Sequence, residues 1–129
     1  MKKSILVIIL LLGVATLVFI LGSSSTNSTN NEVKNNVEVK DGIQYVTVNA
    51  GGGYSPRLSS AKADIPTKLI VKTNGVYDCS SSLVINSINY RKILPQTGEE
   101  VIDLGLNESG KTIQGLCSMG MYSFQIKFL

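Results

Sequence analysis

From Tyr122 to Phe128 the chain alternates without a break. Tyr122, Phe124, Ile126 and Phe128 are large and apolar, while Ser123, Gln125 and Lys127 are polar. A period of two puts the apolar set on one face of a strand, a pattern that no helix gathers onto one side. The same period recurs in Tyr45-Val46-Thr47-Val48, and in Ile102, Leu104 and Leu106 set against Asp103 and Gly105. Lys68-Leu69-Ile70-Val71-Lys72 adds a short β-branched run between charges. Turn residues punctuate these stretches at Gly51–Gly52–Gly53, Asn74–Gly75, Pro95–Gln96–Thr97–Gly98 and Glu108–Ser109–Gly110. After Gly42 nothing sustains a helical period. The expected fold is all-β, a small Greek-key sandwich of about six to eight short, half-buried antiparallel strands. So small a core is marginal, and a disulfide or a metal is expected to staple it.

Two segments precede this domain. Ile5 to Gly22 is an uncharged apolar run of about 18 residues. As a helix it would span roughly 27 Å, close to the ~30 Å hydrocarbon core of a bilayer. It is longer than the ~7–15 apolar residues usual in a cleaved leader. Gly22–Ser23–Ser24–Ser25 nevertheless offers small residues for cleavage, and the lack of a nearby cysteine excludes lipoprotein processing. Residues 1–22 are therefore expected to be a signal anchor, a single N-terminal transmembrane helix. Lys2 and Lys3 precede it and no basic residue follows until Lys34. That asymmetry keeps the N-terminus in the cytoplasm and the C-terminal part outside the cell membrane, or secreted if the segment is cleaved. Residues 23–42 are rich in Ser, Thr and Asn and are expected to be a flexible linker, because they cannot bury enough surface to offset the entropy of ordering. The domain then covers 43–129. Asn27-Ser28-Thr29 and Asn107-Glu108-Ser109 fit the glycosylation acceptor pattern, which is common by chance.

Charge and composition remove several function classes. The net charge is +3, and Lys2 and Lys3 supply two of those charges. The exported part is thus nearly neutral and lacks the basic footprint of a nucleic-acid binder. There is no Trp, and with few other aromatics base stacking has no platform. Histidine is absent, so the commonest general base and the commonest metal ligand are both missing. No enzyme activity is expected. Gly51–Gly53 lacks the Lys-Ser/Thr ending of a phosphate loop and reads as a turn. Glu99 and Glu100 are neighbours on a strand, so they face opposite ways and do not form an acid pair.

What remains is sulfur. Cys117, Met119 and Met121 fall within one short stretch, and Cys79 is the other cysteine. A chain with thiols and thioethers but no imidazole offers only soft ligands, and these select Cu(I) among common metals. The candidate metal ligands are Cys79, Cys117, Met119 and Met121. On a flat strand alternate positions lie roughly 6.8 Å apart, too far for Cys117 and Met121 to share an ion. Gly120 permits a loop that gathers them, with Cys79 contributed by an adjacent strand. Without imidazole a blue His₂Cys copper centre cannot form, which favours carriage, storage or delivery over redox cycling. The alternative is an exported structural or interaction domain without metal, with Cys79 and Cys117 paired as a disulfide and the methionines as core filler. Tyr54 is either a neighbour of the site or an amphipathic core residue.

Gly53–Tyr54–Ser55–Pro56, then Ile65–Pro66–Thr67–Lys68–Leu69, then Cys79 with Leu83–Val84–Ile85, then Cys117–Ser118–Met119–Gly120–Met121 resembles the cupredoxin-like domains of bacterial and archaeal copper-handling proteins. These are similar in fold to the cupredoxin module of periplasmic iron-uptake proteins. Ser118 stands where the family loop has a glycine, and Asn86 where it has a proline. The resemblance covers about residues 43–129. It implies a copper-binding protein outside the cytoplasm, with a copper transporter or another copper-accepting protein as partner.

Overall fold

The computed structural model describes residues 1–11 and 35–129. They belong to two units, Met1–Asn31 and Glu32–Leu129. In the first, residues 2–11 are helical and their side chains are exposed. Among the described residues no helix is long and apolar enough to cross a membrane. The remainder of the anchor expected over 1–22, and most of the linker expected over 23–42, lie outside the described residues.

The β-domain begins earlier than the composition suggests. Val37–Lys40 (β1) falls within the stretch assigned to the linker. It pairs antiparallel with Ile43–Ala50 (β2), Val37 opposite Val46 and Lys40 opposite Ile43. The cause is the pair between them. Asp41 (φ 51°) and Gly42 (φ 76°) are both left-handed, as a two-residue primed hairpin turn requires, and Asp-Gly is suited to it. The polar residues around Val37 and Val39 masked this hairpin.

Eight more strands follow: Tyr54–Ser55 (β3), Leu58–Ala61 (β4), Thr67–Thr73 (β5), Ser82–Ile85 (β6), Tyr90–Ile93 (β7), Gly98–Gly105 (β8), Thr112–Cys117 (β9) and Ser123–Phe128 (β10). One sheet has the order β1-β2-β5-β8, with β3 also on β2, and the other has the order β4-β10-β9-β6-β7. The expected antiparallel pairing is not universal, since β2 with β5 and β4 with β10 run parallel. After β2 the chain crosses to the second sheet, lays down β4 and returns, so β5 re-enters the first sheet in the direction of β2.

The core lies between the sheets. Val46, Val48, Leu69, Val71, Ile102 and Leu104 face Leu83, Ile85, Ile113, Phe124, Ile126 and Phe128, and all twelve are buried. In β2, β5, β8, β9 and β10 the period-two pattern is therefore a pattern of burial, and it is interrupted at strand ends and in β6, where Leu83, Val84 and Ile85 are all buried. Leu106 is 67% exposed, because Gly105 turns the chain at φ 66° and closes β8. Tyr122 precedes β10 and is half-buried. Gln44 is buried despite its polarity. Its amide donates to Lys62 O at 3.0 Å and to Thr67 Oγ1 at 2.9 Å, and its oxygen accepts from Lys62 N at 2.8 Å. Every polar atom of that side chain is engaged, which is what makes its burial tolerable. Asn107 is also buried, its amide donating to Leu104 O at 3.0 Å. The asparagine of that acceptor pattern is therefore not presented to solvent, and Asn27 of the other lies outside the described residues. Gly115 sits opposite Phe124, where a Cβ would overlap the phenyl ring. The missing side chain seats Phe124 edge-on to Tyr54, with centroids 5.0 Å apart and planes at 66°. That aromatic pair and Cys117 belong to one buried core, against which Cys79 packs.

Candidate metal centre

Cys79 is not on a strand, as the sequence suggested, but opens a 3₁₀ turn, Cys79–Ser81, just before β6. Asp78 explains the turn. Its Oδ1 accepts from Ser80 N at 2.7 Å and from the Ser80 hydroxyl, and its backbone oxygen accepts from the Ser81 hydroxyl at 2.8 Å. A short acidic side chain that satisfies its own downstream amide competes with strand pairing and favours a turn. The other carboxylate oxygen, Oδ2, accepts from Gly52 N at 2.6 Å, tying the glycine loop to the turn. From below, the Tyr54 hydroxyl donates to Ser80 O at 2.9 Å.

Cys117 closes β9, opposite Leu83 of β6, and is fully buried. The loop after it is short and tightly bonded. Cys117 N donates to Tyr122 O at 3.0 Å, Gly120 N to Cys117 O at 2.8 Å and Ser118 N to Ser82 O at 2.9 Å. Gly120 takes φ 72°, a conformation glycine enters without steric cost. The flat-strand spacing that would have separated the sulfurs does not apply.

Both cysteines are free thiols, Cys79 half-buried and Cys117 buried, and they lie close enough to influence each other's ionisation. Burial opposes ionisation of Cys117 and is the strongest single influence. The hydrogen bond from Cys79, together with the amides of Tyr122, Met121 and Met119, outweighs it and holds the Cys117 thiol below its ordinary range. The Tyr122 amide lies 3.4 Å from Sγ. Cys79 is raised, first by the hydrogen bond to Cys117 and then by burial, and the Met119 amide partly offsets this. Of the two thiols, Cys117 is thus the more readily ionised. Tyr54 is raised above the phenol range, by burial first and then by the two sulfurs and Asp78. Its hydroxyl remains a donor.

Met119 and Met121 are 75% and 64% exposed. They share the loop whose amides reach the thiols, but their thioethers face solvent and are not core filler. The four sulfur residues therefore form two tiers, a sheltered dithiol and an open dithioether rim. Among the described residues there is no group of three or more His, Cys, Asp and Glu able to hold a metal. Sequence reasoning missed Asp78, though the spacing Asp78–Cys79–Ser80 is the signal of such a turn. Tyr54 proves to be both a core residue and a neighbour of the site.

No protein-family model and no curated protein matches the chain. Solved structures do. The metal-binding domain of the Cu(I)-exporting P-type ATPase CopA of Streptococcus pneumoniae, determined with Cu(I), is 19% identical at a TM-score of 0.63, over 72% of this chain and 92% of that one. A copper binding protein, determined in solution in its apo form, is 22% identical at a TM-score of 0.64, over 72% of this chain and 94% of that one. At these identities the likeness is one of fold.

Proposed function

We propose that this chain is a copper-binding protein that holds Cu(I) through Cys79, Cys117, Met119 and Met121 for carriage, storage or delivery. One observation carries the reading: two neighbouring free thiols lie beside a loop bearing two exposed thioethers, in a chain with no histidine. Soft sulfur suits Cu(I), which binds cysteine as the thiolate. The fold likeness to a Cu(I)-bound domain and to a copper binding protein supports the same reading. The protein acts as a binder and not as an enzyme. Its partner is a copper transporter or another copper-accepting protein, in keeping with the CopA domain it resembles. Residues 1–22 anchor it in the cell membrane with the β-domain outside. That part rests on the apolar run and on Lys2 and Lys3.

Titration of the reduced protein with Cu(I) against a chromogenic chelator tests the site. Met119→Leu and Met121→Leu keep volume and apolar character, and at exposed positions they should change stability by less than about 1 kcal/mol. Each is expected to fold as wild type and to hold Cu(I) more weakly. Wild-type Cu(I) affinity in both variants would remove the thioethers from the site. A protein that takes up no Cu(I), and whose intact mass shows a Cys79–Cys117 disulfide that resists mild reduction, would establish the stapled structural domain instead.

A further inference from the structure

A cavity of about 360 Å³ adjoins the sulfur loop. Its walls are the Gly51–Gly53 loop, Ser55, Arg57, Met121, Tyr122 and Ser123. The volume is at the small end of the range for small-molecule sites, roughly 300–1,000 Å³. Three features give it chemical character. Arg57 is exposed, and its guanidinium makes no ion pair among the described residues, whose ion pairs are Lys40–Glu38, Lys72–Glu99 and Lys92–Glu100. Its backbone is nonetheless fixed, because Arg57 O accepts from Gln125 N at 2.8 Å. The hydroxyls of Ser55 and Ser123 line the same space, and the Tyr122 ring packs over Gly53, where a Cβ would touch it at 3.5 Å. Met121 belongs both to this cavity and to the sulfur rim. The space is therefore lined both by a cation, Arg57, and by a soft donor, Met121.

We propose that this cavity receives a small thiol bearing a carboxylate, and that Cu(I) arrives at the sulfur site as that thiol's complex. The inference rests on the copper reading above and names the form in which the metal is delivered. The carboxylate pairs with the Arg57 fork, which matches it in geometry and charge. The thiolate end, still holding Cu(I), then lies at Met121. The transfer is ligand substitution without change of oxidation state. A protein thiol bonds to Cu(I) as its thiolate, the bond from Cu(I) to the carrier breaks, and the departing carrier thiolate takes up the proton which that protein thiol gives up. The ring of Tyr122 and the glycine loop shape a slot for a short aliphatic chain.

The test uses the full-length protein in detergent and two Cu(I) donors of similar size, the complexes of 3-mercaptopropionate (carboxylate) and 2-mercaptoethanol (neutral). Wild type is expected to load several-fold faster from the carboxylate donor. Arg57→Gln should abolish that preference and leave the equilibrium Cu(I) affinity unchanged. Lys127→Gln, at the far end of β10, removes the same charge and should keep the preference. Independently of copper, 3-mercaptopropionate added to metal-free protein should shift the NMR signals of Ser55, Arg57 and Ser123, and Arg57→Gln should lose those shifts. Equal loading from both donors, or a preference that survives Arg57→Gln, would overturn the proposal. So would equal loss of preference in Lys127→Gln, which would show a general charge effect. If the protein takes up no Cu(I) at all, the copper reading fails, and the NMR shifts still decide whether the cavity binds the carboxylate.

Discussion

Tyr54 makes one hydrogen bond that matters for the sulfurs, from its hydroxyl to Ser80 O at 2.9 Å. Burial and the nearby sulfurs keep that hydroxyl protonated, so the bond persists at any pH the fold tolerates. Tyr54→Phe keeps the ring against Phe124 and removes only the donor, leaving a carbonyl of the buried Ser80 without it. The expected cost is about 1 kcal/mol. Cu(I) affinity should fall several-fold, because the turn carrying Cys79 loses its lower tie. Urea unfolding and chelator competition measure the two effects. Unchanged affinity would show that Asp78 holds the turn alone. At this scale the four sulfur residues were legible in the sequence, since their chemistry is intrinsic to residue type. The roles of Asp78 and Tyr54 were not. Both are exercised through contacts between residues about 26 positions apart (Asp78 with Gly52, Tyr54 with Ser80), and no local pattern records such pairings.

Among the elements, β7 and β8 belong to different sheets and meet through Glu100. Lys92 donates to it at 2.8 Å and the Tyr90 hydroxyl at 2.9 Å. The hydrogen bond from Lys92, against the opposing effect of partial burial, holds the Glu100 carboxyl below its usual range. A carboxyl depressed in the fold contributes its stability above the unfolded value of about 4.3 and loses it as pH falls through the folded value. The melting temperature of wild type is therefore expected to exceed that of Glu100→Gln by a constant margin above about pH 6. The margin should shrink below about pH 4. A margin independent of pH would show that Glu100 acts through packing alone. Lys92 is half exposed, so solvent keeps the effect modest. Strands with a buried face, such as β8 and β10, were legible because their period is two and their faces differ. β1 was not, although its signal was present: Val37 and Val39 alternate and Asp41–Gly42 is a hairpin turn. Mean composition outweighed position in that reading. The parallel pairs escaped for another reason, because direction depends on which sheet the chain visits in between.

For the molecule as a whole, the end of the sandwich remote from the sulfurs is held by a polar tie. Gln44 joins the start of β2 to Lys62 and Thr67 with all three of its hydrogen bonds buried or nearly so. Gln44→Ala strands the Lys62 amide and carbonyl and leaves a void. The expected cost is roughly 2–4 kcal/mol by urea unfolding, a large share of the stability of a domain this size. Cu(I) affinity of the protein that remains folded should not change. A loss of affinity would show that the two ends are coupled. The sandwich thus separates what keeps it folded from what it displays. The display is open to water: both methionine side chains stand outside, and only the thiols are sheltered. Among the described residues, a cargo meets the exposed Met119 and Met121 first and has then to reach Cys117, which is fully buried. Its residence is then timed by one sulfur replacing another and by side-chain rotation in picoseconds to nanoseconds, far from the microseconds to seconds of local opening. Tight holding and quick hand-over, which a closed cage would set against each other, can coexist where a sheltered thiol pair adjoins an open thioether rim.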